Sequence, residues 1–247
     1  MRIAHLPKAR SATGPLVLVD RQHPLQTSAP IDLIAVDSHH PDILLDRQAA
    51  RALAACIQEV GGNREIVPVS GWRSQAEQQR IWDDTLAADG ASFTEKYVAL
   101  PGCSEHQTGL AIDLGRTAGK IDFIRPAFPY DGICGAFRKA AAAYGFIERY
   151  QRGKEPLTGI APEPWHFRYV GTPHAMLMEA NGLCLEEYAG FLQQGPCSCP
   201  LPGGRLAQVF YVPCEEDETE IQLPDGCCQI SGDNAGGFIV TAWGYLA

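Results

Sequence analysis

The chain has 247 residues, 45% hydrophobic and 20% charged, an ordinary globular composition that suits one large domain or a domain with a small addition. A net charge of −9 speaks against nucleic acid or an anionic membrane as partner, so any carboxylate on a ligand must be caught by local side chains. No stretch of about 18 apolar residues occurs, so no membrane helix is expected, and residues 1–20 hold no apolar core of signal-peptide length. The nine cysteines, at 56, 103, 134, 184, 197, 199, 214, 227 and 228, are an odd and scattered set. Without an export signal they are expected as reduced thiols in a cytoplasmic protein. Nothing in the sequence sets the oligomeric state.

Along the chain, Pro15–Val19 reads as an early strand. Leu45–Val60 carries Ala49, Leu53, Cys56, Ile57 and Val60 at helical spacing and stops at Gly61-Gly62. The apolar run Ile66–Val69 leads to Arg73, and a helix over Gln75–Ala88 starts at Ser74 and Glu77 with capping-box spacing. Residues 89–105 read as a polar linker bordering a cleft, and Leu110–Leu114 as a short buried strand. A helix over Ile133–Tyr144 ends at Gly145; Phe146–Tyr150 and Trp165–Val170 are extended. Two short helices, His174–Ala180 and Cys184–Gln193, are separated by Asn181-Gly182. After a linker rich in proline and glycine from Gly195, strands are expected over Ala207–Val212, Glu218–Leu223, Cys227–Ser231 and Gly237–Trp243. Helices and short strands without a βαβ rhythm give an α+β fold with an antiparallel central sheet and flanking helices. Residues 1–195 are expected to form the catalytic domain and residues 200–247 a small β-rich appendage whose task the sequence does not state.

The chemistry concentrates in Ser104-Glu-His-Gln-Thr-Gly-Leu-Ala-Ile-Asp113 and Glu163-Pro-Trp-His166. Two histidines and an aspartate, with a glutamate three residues before the second histidine, are the inventory of a catalytic zinc site: three ligands, an open position for water, and a carboxylate to take its proton. His106 and Asp113 are seven apart. One strand would point them to opposite faces, and one helix would leave them roughly 10 Å apart along its axis. They can share an ion only if the chain bends at Gln107-Thr108-Gly109, where a glycine is present. Pro162 and Pro164 flank Glu163, which excludes a helical His-Glu-x-x-His protease. The kink that would turn Glu163 and His166 to one centre is not readable at this level.

These motifs, with Ser70-Gly-Trp-Arg-Ser74 and Gln78 upstream, resemble the zinc D,D-carboxypeptidases of the VanY and VanXY types, which share an architecture with hedgehog-like proteins. The resemblance runs from about Leu16 to about Tyr188. It implies zinc held by His106, Asp113 and His166, Glu163 as general base and acid, and Arg73 polarising the scissile carbonyl and receiving the oxyanion. Gln78 and Ser104 fall at substrate-contacting positions. The implied substrate is a small peptide ending in D-Ala-D-Ala, as in peptidoglycan precursors, with either glycopeptide (vancomycin) resistance or precursor trimming as the setting.

Several residues have plainer readings. Arg73 could pair with an acidic neighbour, and Trp72 and Trp165 suit core or cleft-wall packing. His39, His40 and His174 lack partners at ligand spacing and read as surface or capping histidines. Cys197, Cys199, Cys227 and Cys228 lack a Cys-x-x-Cys knuckle, which argues against a structural zinc, and Asp233–Gly237 reads as a turn. Two rival functions stay open: an endopeptidase of the same chemistry cutting within a stem peptide, and a non-catalytic zinc-binding module. An intact Glu163 favours an enzyme.

Overall fold

A computed structural model describes residues 2–26, 31–117 and 120–245. In chain order the elements are β1 (Arg2–Pro7), β2 (Leu33–Ala35), β3 (Leu44–Asp46), α1 (Arg47–Glu59), β4 (Ile66–Ser70), α2 (Gln75–Asp89), α3 (Ala91–Tyr97), β5 (Ala111–Arg116), α4 (Gly132–Ala141), β6 (Phe146–Glu148), α5 (Glu155–Thr158), β7 (His166–Tyr169), α6 (His174–Asn181), α7 (Leu185–Gln193), β8 (Cys197–Leu201), β9 (Arg205–Pro213), β10 (Glu218–Leu223), β11 (Cys227–Gly232) and β12 (Gly237–Tyr245). No helix among the described residues is long and apolar enough to cross a membrane. The chain divides into two compact units: Asp20–Ala175, and Met1–Val19 together with Met176–Ala247. The N-terminal 19 residues and residues 176–195, expected within the catalytic domain, therefore group with the C-terminal strands.

The unit Asp20–Ala175 is built on an antiparallel sheet in the order β4-β5-β7-β6. Alternation along its strands separates two tasks. Ile112, Leu114 and Phe167, all at 0% exposure, face the hydrophobic core with Leu53 and Cys56 of α1 and Phe137 of α4. Asp113 and His166, the intervening residues, turn to the opposite face and stand directly across from each other in the β5–β7 ladder. The helix α1 forms because its apolar positions recur at i, i+4 and i+7 (Ala49, Leu53, Cys56) and because Asp46 caps it, accepting from the backbone N–H groups of Gln48 and Ala49. Ser74 caps α2 by accepting from the Glu77 N–H at 3.2 Å, as the spacing predicted. Pro68 is tolerated in β4 because this is an edge strand.

Two readings of the sequence are corrected here. Residues 89–105 are not all linker: Ala91–Tyr97 is the helix α3, steadied by the buried Thr94 hydroxyl donating to the Gly90 carbonyl. The expected strand Pro15–Val19 is absent. Leu16–Val19 are buried, but the backbone N–H of Leu16 bonds to Ser231 Oγ and that of Leu18 to the Asp233 carbonyl, outside any ladder. The N-terminal strand is instead Arg2–Pro7, which pairs with Glu218–Leu223, a contact across more than two hundred residues that no local pattern announces.

The second unit holds a four-stranded antiparallel sheet, β11-β12-β9-β8, and the β1–β10 pair, with a core of Ile221, Leu223, Phe238 and Val240. Cys197–Leu201, read as linker because of its prolines, is the edge strand β8, where a residue without an N–H does little harm. The expected turn at Asp233 is present, with its carboxylate accepting from the N–H groups of Ala235, Gly236 and Gly237. Cys197 and Cys199 lie on β8 and Cys227 and Cys228 on β11, opposite edges of the sheet and about 14 Å apart at strand spacing, too far to share an ion. All nine thiols are free.

Gly109 adopts φ +72° at the bend between His106 and Asp113, and an added Cβ would meet Leu33 Cδ2 at 3.0 Å and Asp46 N at 3.2 Å. Gly109→Ala is expected to cost about 1–3 kcal/mol of stability, read as a lower midpoint in urea denaturation. An unchanged midpoint would contradict the strain assigned to this turn.

Candidate active site

The site begins with a defect in the sheet. Pro68 faces Leu114, yet Ser70 rather than Val69 faces Asp113, so one extra residue bulges out of β4. The bulge brings Ser70, Asp113 and His166 into one row across three strands. It also aims the chain leaving β4 so that Arg73 returns over this row. Arg73 Nε donates to Ser70 Oγ at 2.8 Å and its Nη2 to Asp113 Oδ2 at 2.9 Å.

His106 arrives from the other side. Residues Glu105–Thr108 form a 3₁₀ turn ended by Gly109 in the left-handed region, the bend that the seven-residue spacing required. The Nδ1 of His106 bonds to the Gly71 carbonyl at 2.7 Å, so this nitrogen carries the proton and Nε2 keeps its lone pair, 3.2 Å from Asp113 Oδ2. His166 presents Nδ1, 3.1 Å from Asp113 Oδ1. Its ring meets that of His106 edge-on, with centroids 4.9 Å apart.

The kink that the sequence left open is a reverse turn. The N–H of His166 donates to the Glu163 carbonyl at 3.1 Å, with Pro164 in the second position, where its fixed φ suits a β-turn. The N–H of Glu163 bonds to the Tyr150 carbonyl, and Arg138 of α4 donates to the Pro164 carbonyl, so the turn is held from both sides. Glu163 Oε2 thereby comes within 3.4 Å of His166 Nδ1. Burial raises the Glu163 carboxyl to about 7, against the opposing pull of His166. A carboxyl near neutrality can both take and return a proton, which ordinary surface glutamates do poorly.

His106, Asp113 and His166, all buried, bring one potential ligand atom each within 4.8 Å of one another. Tetrahedral zinc with bonds of about 2.1 Å needs ligand atoms about 3.4 Å apart, and each imidazole nitrogen lies near that distance from one Asp113 oxygen, His106 Nε2 3.2 Å from Oδ2 and His166 Nδ1 3.1 Å from Oδ1. Asp113 Oδ1 is buried with no hydrogen-bond partner among the described residues, a cost of about 1–3 kcal/mol that a bound cation removes. Two imidazoles and one carboxylate are a catalytic zinc donor set, and the residues fit the ion. Burial would raise the Asp113 carboxyl, but His106 and His166 hold it well below the usual carboxylate range, in the ionised form that a ligand must have.

The remaining expected residues are here as well. Ser104 is 2% exposed and lines the cleft with Arg73, Glu163 and Trp165. Gln78 lines it too, but both ends of its amide are engaged within the chain: Nε2 donates to the Ala99 carbonyl at 2.8 Å, and Oε1 accepts from Arg73 Nη1 at 3.3 Å. Arg73 does pair with an acidic neighbour, and that neighbour is Asp113 in the same cluster. Trp165 packs in the core and forms part of the cleft wall. His40 bonds to Asp37 at the surface, whereas His174 is buried, not exposed, and burial pushes it down to about 3.

Sequence reasoning assigned no role to Ser70, Glu105, Arg138, Arg149 or Arg168. Glu105 is fully buried beneath His166, between Arg149 and Arg168. Burial would raise its carboxyl, but the two guanidiniums hold it far below the usual carboxylate range. The signal for Glu105 was its place beside His106 in the motif; a buried arginine leaves no mark distinguishing it from a surface one.

Fold and site together define a zinc metallopeptidase. The family described as VanY: D-alanyl-D-alanine carboxypeptidase matches residues 42–172. A bifunctional D-Ala-D-Ala dipeptidase and D-Ala-D-Ala carboxypeptidase, VanXYC of Enterococcus gallinarum, is 40% identical over 189 residues, 72% of this chain and 95% of that protein. The chain belongs to this VanY family of D-alanyl-D-alanine carboxypeptidases. The vancomycin-resistance D,D-dipeptidase VanXYg, solved with a D-Ala-D-Ala phosphinate analogue, is similar over 98% of both chains, with 46% identity and a TM-score of 0.95. A mutant of the D,D-pentapeptidase VanY from a VanB-type resistance cassette, solved with Zn(II), is 30% identical over 70% of this chain and 98% of that one, with a TM-score of 0.58.

His106→Ala is expected to leave a folded protein that no longer retains equimolar zinc through gel filtration, measured by elemental analysis. Retention of equimolar zinc would remove His106 from the ligand set.

Proposed function

We propose that the protein hydrolyses the terminal D-Ala-D-Ala bond of peptidoglycan precursors as a D,D-carboxypeptidase and D,D-dipeptidase. The observation that carries this reading is the convergence of His106, Asp113, His166, Glu163 and Arg73 on one cleft, in a chain similar from end to end to a D,D-dipeptidase. In this reading His106 Nε2, Asp113 and His166 Nδ1 hold the zinc. The ion supplies a Lewis acid and brings the pKa of its water to about 7. Glu163 takes the proton from the attacking water and delivers it to the amine of the departing D-alanine, a transfer suited to a carboxyl held near 7. Arg73 lies beside the metal ligands and stabilises the negative charge that develops on the carbonyl oxygen.

Ser70 and Gln78 position Arg73 by holding Nε and Nη1, which leaves its planar fork facing the cleft at a fixed angle. Ser104 contributes a polar group to the cleft wall, at hand for the peptide. The setting that fits these roles is trimming of D-Ala-D-Ala ends, the chemistry that underlies glycopeptide resistance.

The test is release of D-alanine from D-Ala-D-Ala and from a pentapeptide precursor, with and without a chelator. Glu163→Ala is expected to abolish turnover on both while zinc still binds, because Glu163 is not a ligand. Loss of the metal in this variant would overturn its role, and retained turnover would require another base. Arg73→Ala should lower kcat by about 100-fold or more, and Arg73→Lys should fail to restore it, since lysine cannot occupy the Ser70, Gln78 and Asp113 contacts at once. An Arg73→Lys enzyme at wild-type kcat would contradict the positioning argument.

A further inference from the structure

Glu105 is the most constrained side chain that the reaction does not use. Its Oε1 accepts from Arg149 Nε at 2.8 Å and lies 2.9 Å from Arg168 Nη1, with both arginines essentially excluded from solvent. Its other oxygen, Oε2, stands 3.7 Å from Nε2 of His166. Both of these atoms are buried, and neither has a hydrogen-bond partner among the described residues. Each is therefore the polar group best placed to satisfy the other, across a gap that a small side-chain adjustment closes.

We propose that Glu105 is a positioning residue: anchored by Arg149 and Arg168, its carboxylate accepts the Nε2–H of His166 and fixes the tautomer that turns the Nδ1 lone pair towards zinc. The proposal deepens the assignment of His166 as a zinc ligand and rests on it. A neutral imidazole carries one ring proton, and a carboxylate can only accept. A carboxylate against Nε2 therefore holds the proton there and leaves Nδ1 free to coordinate. The same device is built differently at His106, where the Gly71 carbonyl holds the proton on Nδ1 and Nε2 faces the cluster. The two histidines thus present opposite nitrogens to one centre, each set by what lies behind the ring.

Glu105→Gln separates this role from packing. Arg149 Nε donates to Oε1 and Arg168 Nη1 forms an ion pair with it at 2.9 Å, so the glutamine carbonyl is drawn there and its NH2 faces His166 Nε2. A donor in that place favours the wrong tautomer, with the proton on Nδ1 and no lone pair for the metal. Zinc affinity, measured by competition with a chromophoric chelator, is expected to fall by about 10–100-fold. In ¹⁵N NMR spectra of the zinc-saturated variant, the His166 Nε2–H signal should lose the downfield shift and slow exchange that a carboxylate acceptor confers, a signature that loss of packing alone would not produce. Glu105→Gln also removes a buried negative charge beside two guanidiniums, so Glu105→Gln/Arg168→Met is measured beside it. The double variant restores the original net charge of the cluster and should show the same weakened affinity. The zinc-loaded wild-type protein supplies a reading that needs no variant: His166 should carry a slowly exchanging proton on Nε2. Wild-type zinc affinity in folded Glu105→Gln, or zinc attached through His166 Nε2 in the wild type, would overturn the proposal. Failure of the wild-type protein to bind zinc would instead sink the assignment of His166 as a ligand.

Discussion

The site depends on strand register. Asp113 and His166 face each other across the β5–β7 ladder, while their neighbours Ile112, Leu114 and Phe167 face the core. Because side chains alternate, the ladder that buries one set aims the other set at a common point, and a slip of one residue would exchange the two faces. Core packing and metal-site geometry are thus one constraint. Exposing Phe167 or Leu114 would carry a hydrophobic penalty of about 1.5–3 kcal/mol each, which locks the ligands in place before any ion arrives. The bulge in β4 adds the third member of the row, Ser70, and so sets the arginine above the ligands.

The cluster gathers like and unlike charges where water is scarce. Glu105, Asp113 and Glu163 are buried, together with Arg149 and Arg168, and Arg73 closes the group from the cleft side. Placing charges there is costly unless every one is met, and the arrangement meets them unequally. Glu105 has two guanidiniums and stays ionised; Asp113 has two imidazoles and Arg73; Glu163 has less compensation and is raised towards neutrality. Three carboxylates in one small volume thereby acquire three different duties: orienting a ligand, binding the metal, and moving a proton. The difference lies in their neighbours, since the functional group is the same.

Much of this could be read from the chain. The inventory of a zinc site and the need for a bend near Gly109 followed from residue type and spacing, because metal chemistry restricts both, and the family resemblance implied which side chains are ligands and which the base. The helix α1 was legible from its apolar period and glycine stop, and α2 from the Ser74 cap. The missed features depend on distant parts of the chain. A bulge in β4 leaves no local mark, and neither does the pairing of Arg2–Pro7 with Glu218–Leu223. Pro200 suggested a linker because proline removes a ladder donor, an objection that vanishes on an edge strand. Glu105, next to His106 in the motif, was in plain view, yet its use depends on arginines 44 and 63 residues further on, at Arg149 and Arg168.

The coordination sphere itself gives the most direct test. X-ray absorption at the zinc edge of the loaded protein should show two imidazole nitrogens and one carboxylate oxygen from the chain, at about 2.0–2.2 Å, completed by a light atom from solvent. A sulfur neighbour at about 2.3 Å, or a sphere lacking imidazole, would mean that the metal sits somewhere other than between these strands.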